Sequence, residues 1–248
     1  MSIIEFDDNS SNSIKIKNNT DIKHPIECNF TYFSDEEEYA IKQVYYDPSL
    51  LLLSEINISI EDYIYNADYE FHTVYPVIIN GINNYVLKKG FIKSEEELVS
   101  EIKLQNKAAE FGLADPVFVA YILEDGKEYG LITKKYEETL FRIFDCDYYD
   151  IQVKIEYVDR IKIILDDLSV KVKICHGDFH LGNIMIDEKD NLKLVDFEKG
   201  SFIDNKDNSV KYTDTEHFTK CGFFLDTITE QVTLDLQNYW YKIMNDTD

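Results

Sequence analysis

The stretch His176-Gly177-Asp178-Phe179-His180-Leu181-Gly182-Asn183-Ile184, followed by Leu194-Val195-Asp196-Phe197-Glu198, leaves the fold less freedom than any other part of the chain. Asn183 lies five positions after Asp178 and Asp196 lies eighteen after it, so two carboxylates and an amide recur at fixed intervals. Between them Ile184-Met185-Ile186 is a short apolar run and Asp187-Glu188-Lys189-Asp190-Asn191 is turn chemistry. Leu192-Lys193-Leu194-Val195 then alternates into Asp196. Such a pattern predicts a β-hairpin that presents Asn183 at the start of one strand and Asp196 at the end of the other. Val170, Val172 and Ile174 alternate just upstream and predict a strand feeding the loop. His176 and His180 are four apart beside Cys175, a spacing that serves a metal only on a helix, and Gly177 and Gly182 argue against a helix. His176 reads instead as a brace for the loop through backbone hydrogen bonds.

These residues resemble the catalytic loop and metal-binding segment of kinase-like phosphotransferases. The interval from Asp178 to Asn183 equals that of the protein-kinase loop H-R-D-x-x-x-x-N. Phosphoryl transfer leaves a protein little covalent work, since it must orient a hydroxyl and hold metal-bound phosphates in line. The resemblance makes Asp178 the carboxylate beside the acceptor hydroxyl, and it makes Asn183 and Asp196 the ligands of Mg²⁺ or Mn²⁺ that bridges ATP phosphates. It implies an α+β, bilobal protein-kinase-like fold with a β-rich N-lobe and a truncated, mainly helical C-lobe.

Read in kinase order, the upstream half supplies matching parts. Val74 to Ile79 and Tyr85 to Lys88 are strand-like runs around Asn80-Gly81, a strong hairpin signal. Val86-Leu87-Lys88 resembles the V-A-I-K strand, which makes Lys88 the phosphate lysine; Lys89 would point to the opposite face. Tyr39-Ala40-Ile41-Lys42 spells a similar tetrapeptide, so Lys42 stays a rival. Ser94 and Glu97 form a capping box, Leu98, Ile102, Gln105 and Ala109 mark a helical face, and Gly112 is placed to end the helix. This segment resembles the αC helix, with Glu101 as the implied partner of Lys88. After a strand pair across Glu124-Asp125-Gly126-Lys127, Thr133 takes the gatekeeper position, and Lys134-Lys135-Tyr136 the hinge against which adenine packs. Thr139-Leu140-Phe141 opens the next helix. Another runs from about Asp150, with Ile151, Ile155, Val158, Ile161, Leu165 and Leu168 as a core-facing seam. Thr213 and Glu216 form a further capping box, followed by an apolar face at Phe218, Cys221, Leu225, Ile228, Val232 and Leu236.

The expected division is an N-terminal extension of mixed strand and loop over residues 1–60 and a kinase-like domain over 61–248. Within the domain, the N-lobe spans about 61–133, the hinge 134–137 and the C-lobe 138–248.

Five positions depart from the pattern. Ala67, Tyr69 and His72 stand where the glycine-rich loop has glycines, and a Cβ there keeps the backbone from approaching the phosphates. Glu198 replaces the Gly of D-F-G, which suggests a fixed metal-binding segment. His180 occupies the position where serine/threonine kinases carry a lysine that steadies the transferring phosphate. The D-F-E and H-G-D-x-H-x-x-N forms resemble choline-type kinases and aminoglycoside phosphotransferases.

Composition narrows the partners. The net charge of −23 argues against a nucleic-acid backbone as ligand and favours a basic protein. It would also repel ATP unless a metal ion and a few lysines screen the site locally. Cys28, Cys146, Cys175 and Cys221 show no paired spacing, and no apolar stretch is long enough to span a bilayer. The expectation is a cytoplasmic protein without membrane contact. The lean towards Ile, Asn, Lys, Tyr and Asp is typical of an AT-rich genome, such as that of a large DNA virus. The interval from Lys135 to Asp178, 43 positions, is close to that of protein kinases, and only about fifty residues follow Asp196. Small-molecule kinases of the aminoglycoside and choline types insert helices in the first interval and add chain after the second. Together these features favour an ATP- and Mg²⁺-dependent serine/threonine protein kinase. A small-molecule phosphotransferase and a pseudokinase scaffold remain the alternatives, the latter because of the degenerate glycine loop.

Overall fold

The structure, a computed structural model, describes residues 13–17, 30–34, 37–46, 55–60, 72–91, 94–123, 128–146, 148–203, 214–215, 218–219 and 230–245. The glycine-loop positions Ala67 and Tyr69, the turn at 124–127 and the cap residues Thr213 and Glu216 lie outside these residues. So do Cys221, Leu225 and Ile228. The fold is α+β with antiparallel sheets, as the resemblance implied. The chain divides into two compact units, residues 1–97 with 116–135, and residues 98–115 with 136–248.

The first unit is built on an eight-stranded sheet. Its strands are β1 (Ser13–Lys17), β2 (Phe30–Ser34), β3 (Glu37–Tyr46), β4 (Glu55–Ile60), β5 (His72–Ile79), β6 (Ile82–Phe91), β7 (Val119–Leu123) and β8 (Glu128–Lys134). Their spatial order is β1-β4-β5-β6-β8-β7-β3-β2, so the strands of the first sixty residues join the same sheet as β5 to β8. Asn80 and Gly81 both take positive φ, 49° and 80°, in the two-residue turn between β5 and β6. That twist is the one that matches antiparallel strands, and Asn-Gly adopts it at least cost. Opposed residues share a sheet face. Leu87, opposite Ile132, which is itself opposite Val119, is therefore on one face, and all three are buried.

The second unit starts within α1 (Glu95–Glu110). The Ser94 hydroxyl caps this helix by accepting the Glu97 N–H at 3.2 Å. At the other end Gly112 turns left-handed, φ +76°, and Leu113 N–H returns to the Ala108 carbonyl at 3.1 Å. After β9 (Glu138–Thr139), α2 (Leu140–Asp145) is capped by the Thr139 hydroxyl, and α3 (Ile151–Asp167) by the Asp150 carboxylate. The core-facing seam of α3 differs from the expected one at its start. Ile151 is exposed and Ile155 half-buried, while Lys154 is buried with its ammonium on the carbonyls of Phe144 and Cys146 at 2.9 and 3.0 Å. A lysine closing the last turn of α2 displaces the first apolar position of the seam. Val158, Ile161, Leu165 and Leu168 are buried as expected, together with Ile164.

The strand expected at Val170 and Val172 is helical instead. Helix α3 continues into a wider π-type turn over Leu168–Val172, and Lys173 then turns left-handed at φ +65°. Leu168 and Val172 are buried on the same helical face, four apart, and Val170 is exposed. Three alternating β-branched residues cannot be told from such a face by period alone. The strand that feeds the loop is only β10 (Ile174–Cys175).

β11 (Ile184–Ile186) and β12 (Leu192–Leu194) form the expected hairpin, and β11 also pairs with β9. β13 (Ser201–Phe202) pairs with β10. The last element is α4 (Glu230–Asn245). Its Trp240 is buried against Phe218 at 5.0 Å between ring centroids, and Phe218 packs on Phe179 of the loop at 5.7 Å. Among the described residues no helix is long and apolar enough to cross a membrane.

Candidate active site

The loop between β10 and β11 is held by backbone hydrogen bonds to buried polar side chains. Asp214, buried, accepts the His176 N–H at 2.7 Å on one oxygen and the Gly177 N–H at 2.8 Å on the other. The Cys175 thiol reaches the latter oxygen at 3.3 Å. A carboxylate that takes two backbone donors satisfies groups that would otherwise be stranded inside the fold. Gly177 sits at φ +78°, and a Cβ there would lie 2.0 Å from the Lys199 carbonyl oxygen. Only glycine allows this approach.

His176 is fully buried and braces the loop, the role its position suggested. Its Nδ1 accepts the Asp178 N–H at 3.3 Å, which places the ring proton on Nε2, and Nε2 donates to the Val195 carbonyl at 2.9 Å. Burial pushes its pKa below the ordinary histidine value, against the pull of the Asp214 carboxylate. The neutral ring thus ties Asp178 to the peptide just before Asp196. Phe197 packs on it at 4.6 Å between ring centroids.

Asp178 is part-exposed, and its carboxylate pairs with the Lys199 ammonium at 2.8 Å. That hydrogen bond raises the lysine pKa above its ordinary value. The Asn183 side-chain NH₂ donates to the Asp178 carbonyl at 3.0 Å, which orients the amide so that Oδ1 could hold an ion. Val195 N–H bonds the Asn183 carbonyl at 3.1 Å, so the hairpin ladder delivers Asn183 and Asp196 to the same end. Asp196 takes φ +66°, a strained value for a residue with a Cβ, directly after Val195, whose carbonyl and N–H are both hydrogen-bonded. An amide oxygen and a carboxylate suit Mg²⁺, which is held by one or two protein oxygens and completed by substrate phosphates. Among the described residues there is no cluster of three His, Cys, Asp or Glu that would make a closed metal cage.

His180 begins the short 3₁₀ turn Leu181–Asn183 and caps it, its Nδ1 accepting the Gly182 N–H at 3.1 Å. Lys193 donates to the Gly112 carbonyl at 2.8 Å, and Leu194 N–H to the Leu113 carbonyl at 2.8 Å. These bonds fix the second hairpin strand to the end of α1. Glu101, on the same helix, is 2% exposed, and a carboxylate at that depth is stable only with compensation. Tyr136 donates to the Asp115 carboxylate at 2.6 Å, and burial together with that bond pushes its pKa far up.

In the first unit, Lys88 lies opposite Val74 and Leu131, and Thr133 lies opposite Val86. The register therefore sets Lys88, Val86 and Thr133 on one half-buried face. Lys89 is on the other face, its ammonium 5.5 Å from the Tyr75 ring centroid. Lys42 falls at the register shift between β3 and β7. Lys135 N–H bonds the Asn84 carbonyl at 2.8 Å.

Sequence reasoning missed Asp214 and Lys199. Asp214 stands inside Thr213-Asp214-Thr215-Glu216, which reads as a helix cap, and nothing local ties it to a loop 37 positions upstream. For Lys199 the signal was its place directly after Asp196-Phe197-Glu198.

Residues 145–204 match the profile of the APH family, described as "Phosphotransferase enzyme family". Such enzymes in general use a nucleotide and a divalent metal. Among solved structures, the kinase PK-1 of Cydia pomonella granulovirus aligns with a TM-score of 0.45 and 14% identity, over 58% of this chain and 52% of that one. The aligned part thus spans about half the length of that kinase. No curated protein matches the sequence. Asp178, Asn183 and Asp196 all fall within the segment that is similar to this phosphotransferase family.

Proposed function

We propose that the chain transfers the γ-phosphate of Mg²⁺- or Mn²⁺-bound ATP to a serine or threonine hydroxyl of a protein substrate, a basic one given the net charge of −23. The observation that carries this reading is the loop Cys175–Asn183, where buried bonds to Asp214 and His176 fix the backbone while the Asp178 carboxylate stays part-exposed. In this reading Asp178 accepts a hydrogen bond from the acceptor hydroxyl and takes its proton late in transfer. Asn183 and Asp196 hold the metal ion, which would neutralise charge on the phosphates. Lys88 orients the α- and β-phosphates and Glu101 supports nucleotide binding, as the resemblance gives them. Thr133, Lys135 and Tyr136 serve the adenine. The shared face of Lys88 and Thr133 supports Lys88 over Lys89. A protein acceptor is supported by the interval from Lys135 to Asp178, whose described residues hold β9, α2, α3 with its π-type last turn, and β10, without a further helical pair.

A second reading has its own support. The family match over residues 145–204, with His180 and Glu198, favours a small-molecule hydroxyl as acceptor, of the aminoglycoside or choline type. Transfer from γ-labelled ATP with Mg²⁺ or Mn²⁺ separates the two, with histone, myelin basic protein, an aminoglycoside and choline as parallel acceptors. We expect label on a basic protein. Label confined to a small molecule would replace the protein-kinase reading, and an absence of label on every acceptor would refute both.

A further inference from the structure

We propose that Lys199 is a catalytic residue that moves from the Asp178 carboxylate to the transferring γ-phosphoryl group. The inference rests on the phosphotransfer reading of Asp178 above and adds the cation that the reaction needs beside it. Charge spreads over the equatorial oxygens of a phosphoryl group in flight, and a positioned Lys or Arg is one of the groups that stabilises it. His180, two positions after Asp178, uses Nδ1 to accept the Gly182 N–H and is engaged in capping its own turn. Lys199 brings a full charge to 2.8 Å from Asp178.

The backbone of Lys199 is fixed, and its side chain is exposed. Its carbonyl rests on Gly177, where no Cβ could fit. Gly200 N–H closes a turn onto the Phe197 carbonyl at 3.0 Å, and a Cβ on Gly200 would meet Leu104, the Cys175 carbonyl and the Phe197 carbonyl at about 3 Å. Beyond it, β13 pairs with β10, and Ile203 N–H bonds the Lys173 carbonyl at 2.9 Å. The turn is thus clamped to the strand that feeds the catalytic loop. The Lys199 side chain itself is 65% exposed, so its ion pair contributes little to folding and exchanges readily. An exposed cation on a fixed backbone, beside the carboxylate that receives the proton, is suited to reaching a phosphate.

In the step, the acceptor oxygen forms a bond to the γ-phosphorus as the bond from phosphorus to the β,γ-bridging oxygen breaks. ADP leaves with that electron pair, and the acceptor proton passes to Asp178. Lys199 donates to a γ-phosphoryl oxygen throughout and is released to Asp178 when product departs.

The test uses the full chain with Lys199→Met and Lys199→Arg, reading calorimetric affinity for Mg²⁺-bound β,γ-imido ATP and for Mg²⁺-bound ADP, with transfer rate beside them. Lys199→Met should lower the transfer rate by about 10²-fold. It should also lose about tenfold in affinity for the triphosphate analogue alone, whereas Lys199→Arg keeps the triphosphate preference. A preference that survives in Lys199→Met, or is lost equally in both variants, overturns the assignment. Wild-type protein that binds neither nucleotide would instead overturn the phosphotransfer reading beneath it.

Discussion

The β11–β12 hairpin has two polar ends, and they use the same residue types for opposite purposes. At the turn end, Asp187 accepts the N–H groups of Lys189 and Asn191, each at 2.8 Å, and the Asn191 side chain at 3.0 Å. Asp190, at φ +62°, takes the Tyr157 hydroxyl at 2.7 Å and the Arg160 guanidinium at 2.9 Å. These carboxylates are spent on the turn itself and on α3. At the loop end the backbone is held by other residues, Asp214 and His176, and the Asp178 carboxylate meets the exposed ammonium of Lys199. A carboxylate is available for chemistry where something else carries the structural duty.

The largest effect that would break this contrast is expected at Asp178. Asp178→Asn keeps the size and the backbone bond to His176 but removes the proton acceptor. Transfer should fall by about 10²–10⁴-fold. The thermal midpoint should stay near that of the wild type, because the lost ion pair is made with the exposed Lys199 ammonium. A variant that melts far earlier would mean that Asp178 carries structural duty after all, and retained turnover would remove it as the base.

Gly177→Ala acts on the support instead of the chemistry. Its Cβ would meet the Lys199 carbonyl at 2.0 Å from a left-handed backbone, so the loop or the turn at 197–200 must shift. A loss of roughly 2–4 kcal/mol in denaturant unfolding is expected, with transfer lost alongside. Asp214→Ala strands the N–H groups of His176 and Gly177 in the interior. Leaving buried donors unmet costs about 1–3 kcal/mol. Hydrogen exchange should then quicken at those two amides before it does along α3. Unchanged exchange there would show that the loop holds itself.

Much of this was legible in sequence, for identifiable reasons. The hairpin, the turns at Asn80-Gly81 and Gly112, the cap Ser94 and the helix starts at Thr139 and Asp150 rest on local chemistry, in which the residue that makes the bond lies within a few positions of the one that receives it. The motif residues were legible because their spacing is itself local. Asp214 was not, because its bonds cross 37 and 38 positions and no periodic signal marks such a partner. The feeding strand was misread for a related reason. Three alternating valines and isoleucines cannot report that Val172 is buried four residues after Leu168 on a continuing helix.

The smallest expected effect belongs to the turn end and is the sharpest control on the comparison. Asp187→Ala removes the acceptor for two backbone N–H groups and the Asn191 side chain, all in a solvent-facing turn where water can replace them. Stability should drop by about 1 kcal/mol, read as a small shift in denaturant midpoint. Transfer should hold within about twofold, since the ladder from Ile184↔Leu194 to Ile186↔Leu192 and the Lys193 bond to Gly112 still set the position of Asn183 and Asp196. A loss of transfer on the scale of Asp178→Asn would mean that strain at the turn reaches Asp196 along only three residue pairs. The two ends of the hairpin would then be one mechanical unit, not a site and its unrelated turn.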